Sequence, residues 1–351
     1  MIRSSNRQDK ASVLLIYTGG TIGMKEDPVD GTLRPFDFKG ILQEVPELRK
    51  FAFRIDARTF SPLIDSSDVE PSIWQALARL IKEEYDNYDG FVVLHGTDTM
   101  AYSASALSFM LDNLRKPVIF TGSQLPIGRP RTDGKENLIS AVEIASAKDS
   151  NGEARVPEVC IYFNSKLLRG NRSTKVNATG FDAFSSPNYP PLATAGIHID
   201  YDDKVIYHPG DGQGTLEIST ELDTRVSILK VHPGITEQVV RDILLGNGSR
   251  AVIIETYGSG NAISKPWFLD LVRQASCRGK ILLNVTQCLC GIVDMDLYAT
   301  GRALKDSGVV SGMDITTESA LAKLFCLMGK HGSNEEVKTL LGQALKGEIE
   351  K

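Results

Sequence analysis

Two short stretches, Tyr17-Thr18-Gly19-Gly20-Thr21-Ile22-Gly23 and His95-Gly96-Thr97-Asp98-Thr99, combine hydroxyls, glycines and a carboxylate in a way that suits nucleophilic chemistry. Each follows an apolar run that reads as a strand, Val13-Leu14-Leu15-Ile16 for the first and Phe91-Val92-Val93-Leu94 for the second. Ligands of α/β proteins bind at the carboxyl ends of strands. Glycine-flanked threonines at two such ends, one beside a carboxylate, suggest a hydroxyl nucleophile and a hydrolytic site. His95 follows its strand so directly that a satisfied structural histidine is the better reading of it. Thr97 can hold a water and Asp98 can bind a substrate ammonium. Backbone N–H groups at a helix start can stabilise an oxyanion.

A threonine nucleophile also needs proton management, and a lysine set against a carboxylate can supply it. Lys175 closes the run Arg169-Gly170-Asn171-Arg172-Ser173-Thr174-Lys175, which follows a strand-like Val159-Cys160-Ile161-Tyr162-Phe163. Asp65-Ser66-Ser67-Asp68 offers carboxylates and hydroxyls suited to an amino-acid head group. The same residues equally suit an N-cap for a helix starting near Pro71. The loop 24–33 is polar, holds glycine and proline, and can close over a small ligand.

Competing motifs fail on spacing. Thr18 stands where a dinucleotide fingerprint needs its first glycine, and the residues that follow are unlike a helix. No Gly-Lys-Ser/Thr ending, Gly-x-Ser-x-Gly elbow or His-Glu-x-x-His occurs. The five cysteines are sparse and fit reduced thiols. Cys288-Leu289-Cys290 has one intervening residue and no companion cluster, so buried structural thiols are expected there rather than zinc.

Stepping strands alternate with helical patterns. Strands are expected at 91–94, 117–120 and 159–163, with helices at 98–113, where Asp98 sits at a capping position, and at about 132–146. This rhythm predicts a mostly parallel sheet flanked by helices. It lapses near 200–223, then resumes on a smaller scale, with strands at 226–229, 251–254 and 280–283. Helices are expected there at 235–245, 265–277, 317–328 and 335–345. The chain therefore divides into an N-terminal catalytic domain at 1–203, a linker at 204–223 and a smaller α/β domain at 224–351. Its 351 residues suit two domains at about 150 each. A net charge of −5 with scattered Lys and Arg argues against a nucleic-acid partner. No apolar run reaches the roughly 18 residues of a membrane span, and residues 1–10 lack the apolar core of a signal peptide.

Thr18-Gly19-Gly20-Thr21-Ile22 and His95-Gly96-Thr97-Asp98-Thr99-Met100, each after its strand, resemble the two signatures of the bacterial-type L-asparaginases, in particular their type I, cytoplasmic branch. Asp65-Ser66-Ser67-Asp68, Thr121-Gly122-Ser123-Gln124, Arg169-Gly170-Asn171-Arg172 and Tyr257-Gly258-Ser259-Gly260-Asn261 resemble further segments of that branch. The resemblance implies hydrolysis of L-asparagine to L-aspartate and ammonia without metal or cofactor. By it Thr21 would be the nucleophile, with Thr97, Asp98 and Lys175 as the companion triad. Asp65, Ser66, Thr97, Asp98 and Asn261 would hold substrate, Asn261 from the side of a partner chain in a homotetramer. An effector site would involve Thr174, Asn261 and Cys288. Two departures are visible: residues 24–36 hold no tyrosine to assist the nucleophile, and Glu255 stands where a basic residue would greet an effector carboxylate. A glutaminase-type amidotransferase subunit and a silent amino-acid sensor are the alternative readings. Intact Thr21, Thr97, Asp98 and Lys175 argue against the sensor.

Overall fold

Alternation along each strand decides which helices it meets. The computed structural model describes residues 11–26, 33–35, 43–208 and 214–350. Eight strands form the main sheet: β1 (Ser12–Gly19), β2 (Arg54–Ile64), β3 (Gly90–Leu94), β4 (Val118–Thr121), β5 (Val159–Phe163), β6 (Lys166–Arg169), β7 (Ala193–Ala195) and β8 (Ile199–Tyr201). Their order is β8-β7-β6-β5-β4-β3-β1-β2. Pairing is parallel from β2 through β5 and antiparallel from β5 to β8.

Leu14, Ile16, Phe91 and Val93 face α1 (Pro71–Glu84) and α2 (Met100–Met110), where Trp74, Leu77, Ile81, Ala104 and Leu107 complete one core. Val13, Leu15, Val92 and Leu94 face the other way, against Leu138, Ala141 and Val142 of α3 (Gly134–Ser146). Helices thus cover both faces, and the strand ends bearing Thr21 and Thr97 lie side by side because β1 and β3 are neighbours.

The second unit repeats the plan with four parallel strands, β9 (Val226–Lys230), β10 (Ala251–Thr256), β11 (Ile281–Thr286) and β12 (Val310–Ser311). On one face lie α4 (Glu237–Leu245), α5 (Pro266–Cys277) and α6 (Ala299–Asp306); on the other lie α7 (Thr317–Lys330) and α8 (Asn334–Leu341). Helix α7 has no fully polar side because it serves two cores. Leu324 and Leu327 meet the second sheet, while Ala322, Phe325 and Cys326 pack on the first unit. The Phe325 ring centroid is 6.3 Å from that of Trp74.

Charge reinforces this joint. Arg172, 2% exposed, binds Asp314 at 2.5 Å and donates from Nε to the Gly347 carbonyl at 2.9 Å. Within the second unit, Lys323 and Glu348 form a fully buried pair at 2.6 Å, and Lys323 also donates to the carbonyls of Leu341 and Gln343. Because every proton has a partner, the pair tolerates burial; removing either member alone would strand a charge.

Several expectations shift. Helix α2 begins at Met100, with Thr99 at its N-cap and no side-chain cap; Asp98 instead turns to Lys175. The last expected helix stops at Leu341. In the segment read as a linker, Val205, Ile206 and Leu216 pack into the first unit's cores, and Glu217–Ile218 pairs with Leu111–Asp112. Strands β2, β6, β7, β8 and β12 lie outside the expected ones. Cys288 and Cys290 are exposed, not buried; burial belongs to Cys160 and Cys326. Residues 27–32 of the polar loop lie outside the described residues, as do 1–10; its flanks Met24–Glu26 and Leu33–Pro35 pair antiparallel. Among the described residues no helix is long and apolar enough to cross a membrane.

Candidate active site

Glycines let three chain segments converge. Gly19 and Gly20 have φ of 140° and 90°, in or near a region that side chains disfavour. A Cβ on Gly20 would stand 2.5 Å from the Gly96 nitrogen, and one on Gly96 would collide with the Ser66 hydroxyl. The β1 and β3 ends and the 64–66 corner after β2 therefore touch backbone to backbone. A register slip between Tyr17 and Gly19 brings Gly19 opposite Ile64 and sets Asp65 and Ser66 beside the site.

The two motif threonines differ in what holds them. Thr18, 3% exposed, donates its hydroxyl to the Leu94 carbonyl at 2.9 Å and ties β1 to β3. Thr21 opens the 3-10 turn Thr21–Gly23, whose Ile22 is fully buried. It faces a cleft of about 740 Å³ lined by Gln124, Leu125, Pro126, Arg129, Pro130 and Arg131.

Thr97 and Asp98 meet Lys175, which comes from a two-residue strand, Thr174–Lys175, paired with Phe184–Ser185. The Lys175 ammonium donates to Thr97 Oγ1 at 2.8 Å and to Asp98 Oδ1 at 2.7 Å. The Asp98 side chain is 62% exposed and thus open to a ligand. Ser66 Oγ approaches Asp98 Oδ2 at 3.5 Å. Thr97 in turn donates to Gln124 Oε1 at 3.4 Å, and Gln124 donates from Nε2 to the Gly180 carbonyl at 2.9 Å. Gln124 belongs to both groups: it lines the cleft before Thr21 and touches Thr97.

Asp65 caps a turn, though not the helix near Pro71. Its Oδ1 accepts from Ser67 N and Ser67 Oγ, both at 3.0 Å, at the head of the 3-10 turn Ser66–Asp68. His95 is structural, as its place predicted. Because the Gly96 carbonyl can only accept, Nδ1 carries the proton it donates at 2.7 Å. Nε2 then accepts from Ser103 at 3.0 Å, and Ser103 accepts from Trp74 Nε1 at 2.9 Å. Burial pulls the imidazole pKa down to about 4, which keeps it neutral.

Residues 12–207 match the asparaginase N-terminal domain family and residues 225–341 the glutaminase/asparaginase C-terminal domain family. The chain belongs to the asparaginase family. It is 44% identical to L-asparaginase 1 of Escherichia coli K12 over 97% of this chain and 98% of that one. It is 42% identical to a human 60 kDa lysophospholipase over 96% of this chain but only 61% of the relative. The crystal structure of L-asparaginase I from Vibrio cholerae superposes with a TM-score of 0.87 at 43% identity, covering 97% of this chain and all of that one.

Within this asparaginase fold the side chains of the remaining expected residues bond elsewhere than the Lys175 cluster. Asn261 sits in the second unit, its Oδ1 accepting from Thr300 at 2.6 Å. Thr174 points toward the joint between units and donates to Glu318 at 2.5 Å. Burial pushes the Glu318 carboxyl above its ordinary range, the Thr174 bond opposes this, and Glu255 adds repulsion. Glu255 itself accepts from Thr317 Oγ1 at 2.9 Å. Cys288 is exposed, its N–H donating to Thr286 Oγ1 at 3.0 Å. Sequence reasoning missed the roles of Gln124 and Glu318. Gln124 had a signal, since Thr121-Gly122-Ser123-Gln124 follows a third strand end; Glu318 had none.

Proposed function

We propose that the protein hydrolyses L-asparagine to L-aspartate and ammonia, with Thr21 as nucleophile and Thr97, Asp98 and Lys175 as its companions. The observation that carries this reading is the contrast between the two threonines. The Thr18 hydroxyl is committed to the Leu94 carbonyl, whereas Thr21 faces the cleft beside Gln124, which also touches Thr97. Thr21 Oγ attacks the side-chain amide carbon and forms a C–O bond as its proton leaves. Collapse breaks the C–N bond, and nitrogen departs with a proton as ammonia. Water held by Thr97 then attacks the ester, and Thr21 regains its proton as aspartate forms. Lys175 handles protons at Thr97 Oγ1. Asp65, Ser66, Thr97 and Asp98 hold the α-amino and α-carboxylate groups, with Asn261 contributed by a partner chain.

L-Asparagine is expected to exceed L-glutamine in kcat/KM. Head-group contacts are common to both amides, so only the position of the side-chain carbonyl against Thr21 discriminates. One methylene is worth about 10–200-fold in such a pocket. Glu255 and Glu318 disfavour an effector carboxylate near Thr174, so the asparagine saturation curve is expected to be hyperbolic. Ammonia release from both amides over a wide concentration range checks this. Equal or reversed kcat/KM values would favour a glutaminase, and a sigmoidal curve would restore the effector site.

We further read the enzyme as a cytoplasmic homotetramer. Leu289, Ile292, Leu297 and Tyr298 are each 47–61% exposed within ten residues of chain. Such clustered apolar exposure suits burial against another copy. Sedimentation is expected to give four times the 38.3 kDa chain mass; a monomer would refute it.

A further inference from the structure

The turn that carries Thr21 rests on a hydroxyl that has no partner among the described residues. Tyr17 points from β1 into the core beneath residues 21–23; it is 1% exposed, and its Oη makes no hydrogen bond among the described residues. A Cβ added to Gly23 would collide with that oxygen, so the phenol tip lies directly under the end of the turn. Burial raises the phenol pKa to about 12, which leaves it a protonated donor at neutral pH. A buried hydroxyl without a partner loses hydration and gains nothing, and phenylalanine would fill the same space without that penalty. Above the phenol, the turn has glycines at both ends. Gly19 and Gly20 precede it with positive φ, and Gly23 closes it. The 124–127 loop meets it through a long bond, Ile127 N to the Ile22 carbonyl at 3.3 Å.

We propose that Tyr17 is a positioning residue for Thr21, its hydroxyl bonding a backbone group of the Thr21–Gly23 turn when that turn moves to bring Thr21 onto the substrate. Tyr17 acts from behind the turn and touches no substrate. A bond made only in the reacting arrangement raises kcat and leaves ground-state binding alone. The inference rests on Thr21 being the nucleophile.

The test compares purified wild type, Tyr17→Phe and Thr21→Ala in ammonia release from L-asparagine, with Tm measured on each. Tyr17→Phe is expected to lower kcat about tenfold, the worth of one hydrogen bond, and to keep KM within about twofold. Its Tm should equal or exceed that of wild type, because an unpartnered buried hydroxyl has gone. A merely structural tyrosine would not split kcat from KM while preserving Tm. Unchanged kcat, a parallel rise in KM, or a lowered Tm would each overturn the proposal. If Thr21→Ala stays active, the nucleophile assignment fails instead. If Thr21→Ala is inactive and Tyr17→Phe is not, only the Tyr17 inference falls.

Discussion

Thr21→Ala is expected to lower kcat by a factor on the order of 10³ or more without unfolding the protein. The substitution removes one hydroxyl from a partly exposed position, while buried Ile22 next to it keeps the turn anchored. Thr18→Ala is the informative contrast. It removes the bond to the Leu94 carbonyl inside the core, so its cost falls on stability, about 1 kcal/mol. Turnover should persist. Measuring kcat and Tm on both variants separates the roles; a Thr21→Ala enzyme keeping a tenth of wild-type kcat would remove Thr21 as nucleophile.

For Lys175→Met the expected loss is in kcat, about 10²–10⁴-fold, with far less effect on L-aspartate affinity. Methionine keeps the unbranched stem of the side chain, one atom shorter, but neither donates to Thr97 Oγ1 nor pairs with Asp98. Asp98 is exposed enough for water to solvate it once the ammonium is gone, so the fold should survive. Calorimetric titration with L-aspartate beside ammonia-release kinetics decides the matter. A variant that lost affinity and kept kcat would assign Lys175 to ligand binding.

What could be read in advance followed from local pattern. The strands before Thr21 and Thr97 are unbroken apolar runs because both their faces are buried, and glycines at their ends announced close backbone approach. Strands β6 to β8 are three or four residues long and carry no clear alternation, while in the longer β2 the charges of Arg54, Asp56 and Arg58 and the ring of Pro62 interrupt any apolar run. Asp98 was expected to cap a helix because capping is a local option; its partner lies 77 residues away, beyond the reach of spacing arguments. Glu318 and Tyr17 share that difficulty. Their significance comes from neighbours brought in by other elements, and nothing in their own sequence context distinguishes them, whereas Gln124 at least follows a third strand end. The exposed Cys288 and Cys290 show the converse limit, since a spacing that argues against zinc does not determine burial.

The Arg172 contacts also bear on how the chain is made. Arg172 is synthesised 142 residues before Asp314 and 175 before Gly347, its two partners across the joint. At about 5–20 residues per second, a ribosome needs roughly 10–35 s to deliver Gly347 after Arg172 has emerged. During that interval the newborn first unit carries a cation that has the Tyr189 ring, 5.0 Å away, but lacks its carboxylate and carbonyl partners. The seal between the two halves of this enzyme can therefore close only when the last residues of the second have been made.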